Sequence, residues 1–279
     1  MLVSLQTILA MAEKGGYCIP AFNVYNMETV MGVLDAAEAQ RAPIIMQIYP
    51  RLMKEEAGYF LAPVVLAAAE KASVPVCFHL DHGPSELETT RSLRYGATGI
   101  MLDGSLLPFD ENIALTRRAV ETCSYLGVGV EGELGHVGTT KEEDADEFTT
   151  PEDAARFVKE TGVSCLAVAV GTAHGRYKKP PKLDIERISA IRAATNNTAL
   201  VLHGGSGVPD EEIKKAVAAG VRKMNFATDI CYAFLDACKE QLDKPERIIA
   251  IDNFMKEPIK AVKAFCESRI LLVGANGRA

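Results

Sequence analysis

Eight short apolar runs alternate with segments of helical periodicity along the chain. The units recur every roughly 25–40 residues, and polar or ionisable residues collect at the carboxyl ends of the runs. Together these observations predict an α/β fold: a (β/α)8 TIM barrel with an extra C-terminal helical segment, filling residues 1–279 as a single domain. A doubly wound sheet is the competing architecture. It usually carries a glycine fingerprint after the first strand, and CIPAFNVYN has none.

The opening MLVSLQTILAMAEKGG spaces its apolar residues as an amphipathic helix and lacks a basic leader region, so it reads as structure. The predicted strands are CIPAFNV (18–24), PIIMQIY (43–49), VPVCFHL (74–80), GIMLDG (99–104), GVGVEGEL (127–134), CLAVAVG (165–171), ALVLHG (199–204) and VRKMNFA (221–227). Helical patterns fill 27–40, 54–71, 85–95, 111–125, 151–161, 184–194 and 210–219. Thr150-Pro151-Glu152-Asp153 offers a cap, a first-turn proline and acids at the positive helix end. Asp184 and Asp210 are expected to cap their helices, and Gly127, Gly162 and Gly220 to end the helices before them. A last helical stretch, 244–269, exceeds what eight units need. The one polar stretch, GHVGTTKEEDADEFTT (135–150), reads as a surface loop or as a lid over a site.

With 279 residues, 48% of them hydrophobic, the chain buries a sizeable core. A net charge of −7 argues against nucleic-acid and anionic-membrane partners, and no apolar run is long enough to span a bilayer. The seven cysteines are scattered, with no CxxC, as expected of buried free thiols in a reducing, cytoplasmic compartment.

In a barrel, the strand carboxyl ends form the active rim. Asn23 ends strand one, Gln47 lies late in strand two, and His79, Asp81 and His82 end strand three. Asp103 follows strand four, Glu131 and Glu133 end strand five, and His174 follows strand six. His203 ends strand seven, and Asn225 ends strand eight, followed by Thr228 and Asp229. His82, His174 and His203 offer three imidazoles and an open position, the donor set of a catalytic zinc. Their long sequence gaps form no local motif; convergence on one rim carries the reading. His79 reads either as a rim group or as a packed histidine.

GGSG (204–207) and NFATD (225–229) sit where this fold binds phosphate, with Ser206 and Thr228 offering hydroxyls and a helix starting near Val208. Arg176, Lys178 and Lys179 form a short basic cluster nearby, either an exposed face or a hold on an anion. Asp81, beside the metal, suits proton transfer, and EEDADE supplies further acids. These residues point to a metal-assisted enzyme acting on a small phosphorylated molecule. Phosphatase, isomerase, epimerase and aldol-cleavage chemistry all remain open to them.

FHLDHG, VEGELGHVG, AVGTAHGRYKK, VLHGGSGVP and NFATD, in this order, resemble the class II, metal-dependent ketose-bisphosphate aldolases of the fructose-bisphosphate and tagatose-bisphosphate type. The resemblance runs from AFNVYN to VGANGRA. It implies Zn2+ or a similar divalent metal, a monovalent cation (Na+ or K+), a homodimer or homotetramer, and a small phosphorylated ketose substrate. By resemblance, His82, His174 and His203 match the metal ligands, and Glu133 matches an acid that holds an alternative metal position in some members. Asp81 matches the proton donor to the aldehyde oxygen. Gly175, Lys178, Gly204, Ser206, Asn225 and Thr228 match positions around dihydroxyacetone phosphate, and Asn23 and Gln47 join them as rim residues. The implied reaction is reversible cleavage of fructose 1,6-bisphosphate to dihydroxyacetone phosphate and glyceraldehyde 3-phosphate through a zinc-stabilised enediolate, as in glycolysis. Tagatose 1,6-bisphosphate, another keto-sugar phosphate, or metal and phosphate binding without turnover are the alternatives.

Two departures stand out. The loop after strand five usually supplies a proton-abstracting glutamate. Here the ungapped position is Lys141; a one-residue shift selects Glu142, the preferred base, and a two-residue shift Glu143. After Gln47-Ile48, where many relatives have a small residue, this chain has Tyr49, which narrows the site if it points inward.

Overall fold

The computed structural model describes residues 1–137, 148–175, 177, 180–246 and 248–279. Eight strands, β1 (Ile19–Asn23), β2 (Ile44–Ile48), β3 (Val76–Gly83), β4 (Gly99–Leu102), β5 (Gly129–Leu134), β6 (Cys165–Val168), β7 (Ala199–Leu202) and β8 (Val221–Phe226), pair in sequence order as a closed parallel barrel. Closure comes from β8 on β1, with Ala21 opposite Asn225. The strands are almost wholly buried, as expected where barrel interior and helix layer cover both faces. Every predicted strand is present, most of them shortened, while β3 runs three residues past its predicted end to Gly83.

The helices are α1 (Leu5–Gly15), α2 (Met27–Gln40), α3 (Pro50–Lys54), α4 (Glu56–Lys71), α5 (Glu86–Arg94), α6 (Phe109–Ser124), α7 (Pro151–Thr161), α8 (Ile185–Ala194), α9 (Asp210–Ala219), α10 (Thr228–Leu242) and α11 (Ile251–Leu272). The opening helix α1, capped by Ser4, lies against β1, β3, β4, β5 and β8. Its Leu5, Ile8, Leu9 and Ala12 are buried there. Each large aliphatic group so covered contributes roughly 1.5–3 kcal/mol of transfer free energy. Thr150 caps α7 by accepting from Asp153 N, with Pro151 in the first turn, and Gly162 ends it in the left-handed conformation. Asp184 caps α8 through Arg187 N.

Several expectations need correction. Asp210 is the first residue of α9 and makes no cap bond; Pro209 holds the cap position. Gly127 closes a turn onto Ser124 after α6 has already ended. The pattern at 54–71 is α4, which starts at Glu56, and the residues before it form a separate short helix, α3, that the sequence pattern left unassigned and the extended Glu55 sets apart. The stretch 244–269 is α11 alone, and the helix of the eighth unit, α10, begins directly at Thr228. Pro245 falls in the break between them, where its missing N–H disfavours continued helix. Helix α11 packs on α2 and α10. The crossing is close: a Cβ on Gly32 would lie 2.8 Å from Ile259 O.

Candidate active site

Asp81 and His82 are consecutive, and an ideal strand would point them to opposite faces. The pairing of β3 with β4 shifts register between Leu80 and Gly83, and His82 has φ +48°. A non-glycine residue in the left-handed region is strained, and such strain collects at functional sites. This irregularity brings both side chains to one cavity of about 570 Å3. Asn23, Asp103, His174, Gly175, Asn225 and Thr228 also line it, as do Gly204, Ser206 and Tyr49.

His82 Nδ1 lies 2.7 Å from Asp103 Oδ2, and His203 Nε2 lies 2.8 Å from Glu131 Oε1. Carboxylates accept, so these two nitrogens carry protons. In neutral rings the opposite nitrogens, His82 Nε2 and His203 Nδ1, are then acceptors, and they face each other at 3.0 Å. Two lone pairs at that distance repel unless a proton or a metal ion is shared. His174 completes the group, its ring centroid 5.0 Å from that of His82. Its Nε2 is buried without a hydrogen-bond partner among the described residues, as is Glu133 Oε2.

Among the described residues, His82–His174–His203 and His82–Asp103–Glu133 are two groups whose ligand atoms all lie within 4.8 Å of one another. The donor set and its orphaned atoms fit a divalent metal. Glu133 Oε2 is 3.4 Å from His203 Nδ1 and 3.8 Å from His82 Nδ1.

The electrostatics agree. Burial, then the charge of His82, lowers His174 to about 4. Burial, then His82 and Lys223, holds His203 well below its usual range. Burial also disfavours a charged His82, but Asp81, the Asp103 hydrogen bond and Glu133 outweigh it and raise the ring to about 10. Burial, then Asp103, pushes Glu133 up to about 8. The site therefore attracts one positive charge at His82 and keeps two neutral imidazoles beside it.

Asp81 is held from both sides. Asn23 Nδ2 donates to its Oδ2 at 2.8 Å, and Asn225 Nδ2 donates to its Oδ1 at 3.0 Å. Gln47 Nε2 in turn donates to Asn23 Oδ1 at 2.8 Å. Lys223 Nζ donates to Asn225 Oδ1 at 2.7 Å and pairs with Glu131 Oε2 at 2.9 Å. An ammonium only donates, so Lys223 fixes which end of the Asn225 amide faces Asp81. Sequence reasoning missed Lys223. The available signal was its place two residues before Asn225, hence on the same face of β8. Asp103 and Glu131, seen only as rim acids, prove to orient two histidines. His79 lies within the barrel, wholly buried, with Nε2 3.5 Å from Glu131 Oε2. It is a packed histidine below the rim.

At the glycine corner, Gly204 has φ +65°, and a Cβ there would lie 2.5 Å from Ala173 O. Only glycine suits that turn. Ser206 Oγ accepts from Asp229 N at 3.3 Å, joining the loop to the first turn of α10. The helix start that borders the cavity is thus α10, through Ala227 and Thr228, and not the one near Val208. Tyr49 does point inward, its ring 5.9 Å from His82. Lys141, Glu142, Glu143, Arg176, Lys178 and Lys179 lie outside the described residues. All seven cysteines are free, and among the described residues no helix is long and apolar enough to cross a membrane.

A family model described as fructose-bisphosphate aldolase class-II matches residues 3–278. The chain belongs to this class II aldolase family. It is 39% identical over 272 residues to the uncharacterized protein YdjI of Escherichia coli K12, covering 96% of each. The crystal structure of the E. coli YdjI aldolase superposes with a TM-score of 0.90 at 36% identity, covering 100% of both chains. A putative fructose-1,6-bisphosphate aldolase from Coccidioides immitis gives 0.88 at 30% identity, covering 98% of this chain and 97% of that one. Campylobacter jejuni fructose-bisphosphate aldolase gives 0.85 at 25%, covering 100% of this chain and 97% of that one. Within the class II aldolase family, the histidine cluster, the bracketed Asp81 and the glycine corner are the features whose chemistry needs an account.

Proposed function

We propose that this protein is a metal-dependent class II aldolase that reversibly cleaves fructose 1,6-bisphosphate to dihydroxyacetone phosphate and glyceraldehyde 3-phosphate. The observation that carries the reading is Asp81, held between Asn23 and Asn225 with Oδ1 4.0 Å from His82 Nε2 in a three-histidine cluster. His82, His174 and His203 hold the divalent ion, with Zn2+ the best match to three imidazoles, and Glu133 offers a neighbouring position. When bound, the ion supplies Lewis-acid polarisation of the substrate carbonyl.

The chain's own groups do the rest. Gly175, Lys178, Gly204, Ser206 and Thr228 hold the phosphate of the three-carbon ketone half, aided by the start of α10. Asn225 orients the reacting end of that half, and Asn23, braced by Gln47 on the adjoining strand, holds Asp81. In condensation Glu142 removes a proton from the carbon beside the ketone. Asp81 gives a proton to the aldehyde oxygen as the new carbon–carbon bond forms. In cleavage Asp81 takes the hydroxyl proton and the bond breaks. The amide clamp supports this role because it restricts the carboxylate to one orientation.

The reading extends to a cytoplasmic enzyme of carbohydrate metabolism acting as a homodimer or homotetramer. It is tested by assaying the purified protein on fructose and tagatose 1,6-bisphosphates, following triose phosphate and inorganic phosphate together. Triose phosphate release, faster from fructose, is the expected result. A faster tagatose reaction would rename the substrate, and inorganic phosphate release alone would replace aldol cleavage by phosphatase chemistry.

A further inference from the structure

Two of the three clustered imidazoles are each oriented by a carboxylate, His82 by Asp103 and His203 by Glu131. His174 differs. Its Nε2 is buried without a hydrogen-bond partner among the described residues, and no carboxylate of those residues is hydrogen-bonded to its ring. It also stands outside the regular elements, after β6 has ended at Val168 and before α8 starts at Ile185, whereas His203 directly follows β7. A ligand histidine is ordinarily fixed through its second nitrogen. The place of His174 therefore has to be set by its backbone.

Tyr177 meets that need. Its hydroxyl accepts from Ala173 N at 2.7 Å and donates to Gly204 O at 3.0 Å. The two roles cannot be exchanged: a peptide N–H only donates, a carbonyl only accepts, and a phenol has one proton to give. Burial raises this phenol to about 12, so the proton stays in place. Ala173 directly precedes His174, and Gly204 directly follows His203. One side chain thus ties together the backbone beside two of the three histidines. The two segments are already in close contact, since a Cβ on Gly204 would lie 2.5 Å from Ala173 O. The Tyr177 ring is seated as well: it packs half-buried on the core, and a Cβ on Gly207 would lie 3.2 Å from its Cδ2. Gly175 and Gly204 line the cavity and Tyr177 does not, so the phenol acts only through these neighbours.

We propose that Tyr177 is the positioning residue for His174: its hydroxyl does the work of a carboxylate partner by fixing the backbone that carries the ring, and it locks that segment to the glycine corner. The inference rests on the reading of the three histidines as the metal seat and adds to it the group that sets their spacing. Because the same hydroxyl bonds Gly204, it also holds the metal seat and the phosphate side of the cavity at a fixed separation.

The test is Tyr177→Phe, which removes the hydroxyl and keeps the ring in its seat. Zinc affinity is measured for wild type and variant by competition with a chromogenic chelator, at a temperature where circular dichroism shows both metal-free proteins folded. This readout refers to the folded protein, so a loss of stability alone does not move it. The variant is expected to bind zinc roughly tenfold to a hundredfold more weakly, the usual consequence of losing a group that orients a ligand. At saturating zinc, its KM for dihydroxyacetone phosphate in solvent exchange of the C–H proton is expected to rise roughly threefold to tenfold, with kcat changed less. Equal zinc affinities in the two proteins overturn the proposal, whatever happens to Tm. Wild type that binds zinc but exchanges no proton overturns the aldolase reading alone, and the two affinities still decide on Tyr177.

Discussion

One backbone irregularity at the end of β3 turns Asp81 and His82, to which the proposed reaction gives different roles, toward the same space. Their roles are separable by substitution. His174→Ala is expected to abolish both bound metal and cleavage, measured by elemental analysis beside the assay. Asp81→Ala is expected to keep its metal while kcat falls by roughly 10²–10⁴, the usual worth of a placed acid–base group. Below them, Glu131 holds His203 Nε2 and Lys223 Nζ in the barrel interior. Glu131→Gln is expected to weaken metal affinity by roughly 10–100-fold, read by competition with a chromogenic chelator, since partners of this kind tune ligand basicity. Much of this was legible in sequence: the rim residues are polar groups at the ends of apolar runs. The Lys223–Glu131 pair was not, because a lysine inside a strand gives no periodic signal and its partner lies three strands away around the barrel.

Among the elements, two that border the cavity, α10 and α3, were the least legible. Helix α10 was hidden because its first turn, Thr228-Asp229, reads as part of the site motif. Helix α3 was left unassigned because five residues carry no readable helical period, and the extended Glu55 sets it apart from α4. The glycine corner, by contrast, shows in the sequence as GGSG, and its need for glycine is steric. Gly204→Ala must force a methyl against Ala173 O in a left-handed turn. It is expected to cost about 1–3 kcal/mol of stability and to raise the KM for dihydroxyacetone phosphate more than that for the aldehyde. Denaturant titration and steady-state kinetics check the two parts.

On the scale of the whole molecule, sequence periodicity carries the barrel because parallel strands buried on both faces must be apolar throughout, while their helices must be amphipathic. Order around the barrel follows chain order, so residues 121 apart in sequence, His82 and His203, meet without any local motif. A metal held by the three histidines would tie together the segments that follow three strands, a clasp on the closed barrel. At free zinc a thousandfold above its Kd, linkage adds about 4 kcal/mol to stability. For a domain of this size that corresponds to a Tm higher by roughly 8–16 °C than in chelator. Calorimetry with and without zinc measures it, and His174→Ala is expected to lose most of the increment.

The central claim is that a metal held by His82, His174 and His203 makes the carbon beside a phosphorylated ketone acidic. Its most direct test is deuterium uptake from solvent into dihydroxyacetone phosphate, followed by NMR with no aldehyde present. The account predicts exchange in the zinc-loaded protein, none after chelation, recovery on zinc addition, and none in His174→Ala under any of these conditions. Exchange at an undiminished rate in chelated protein shown to be free of metal would contradict it.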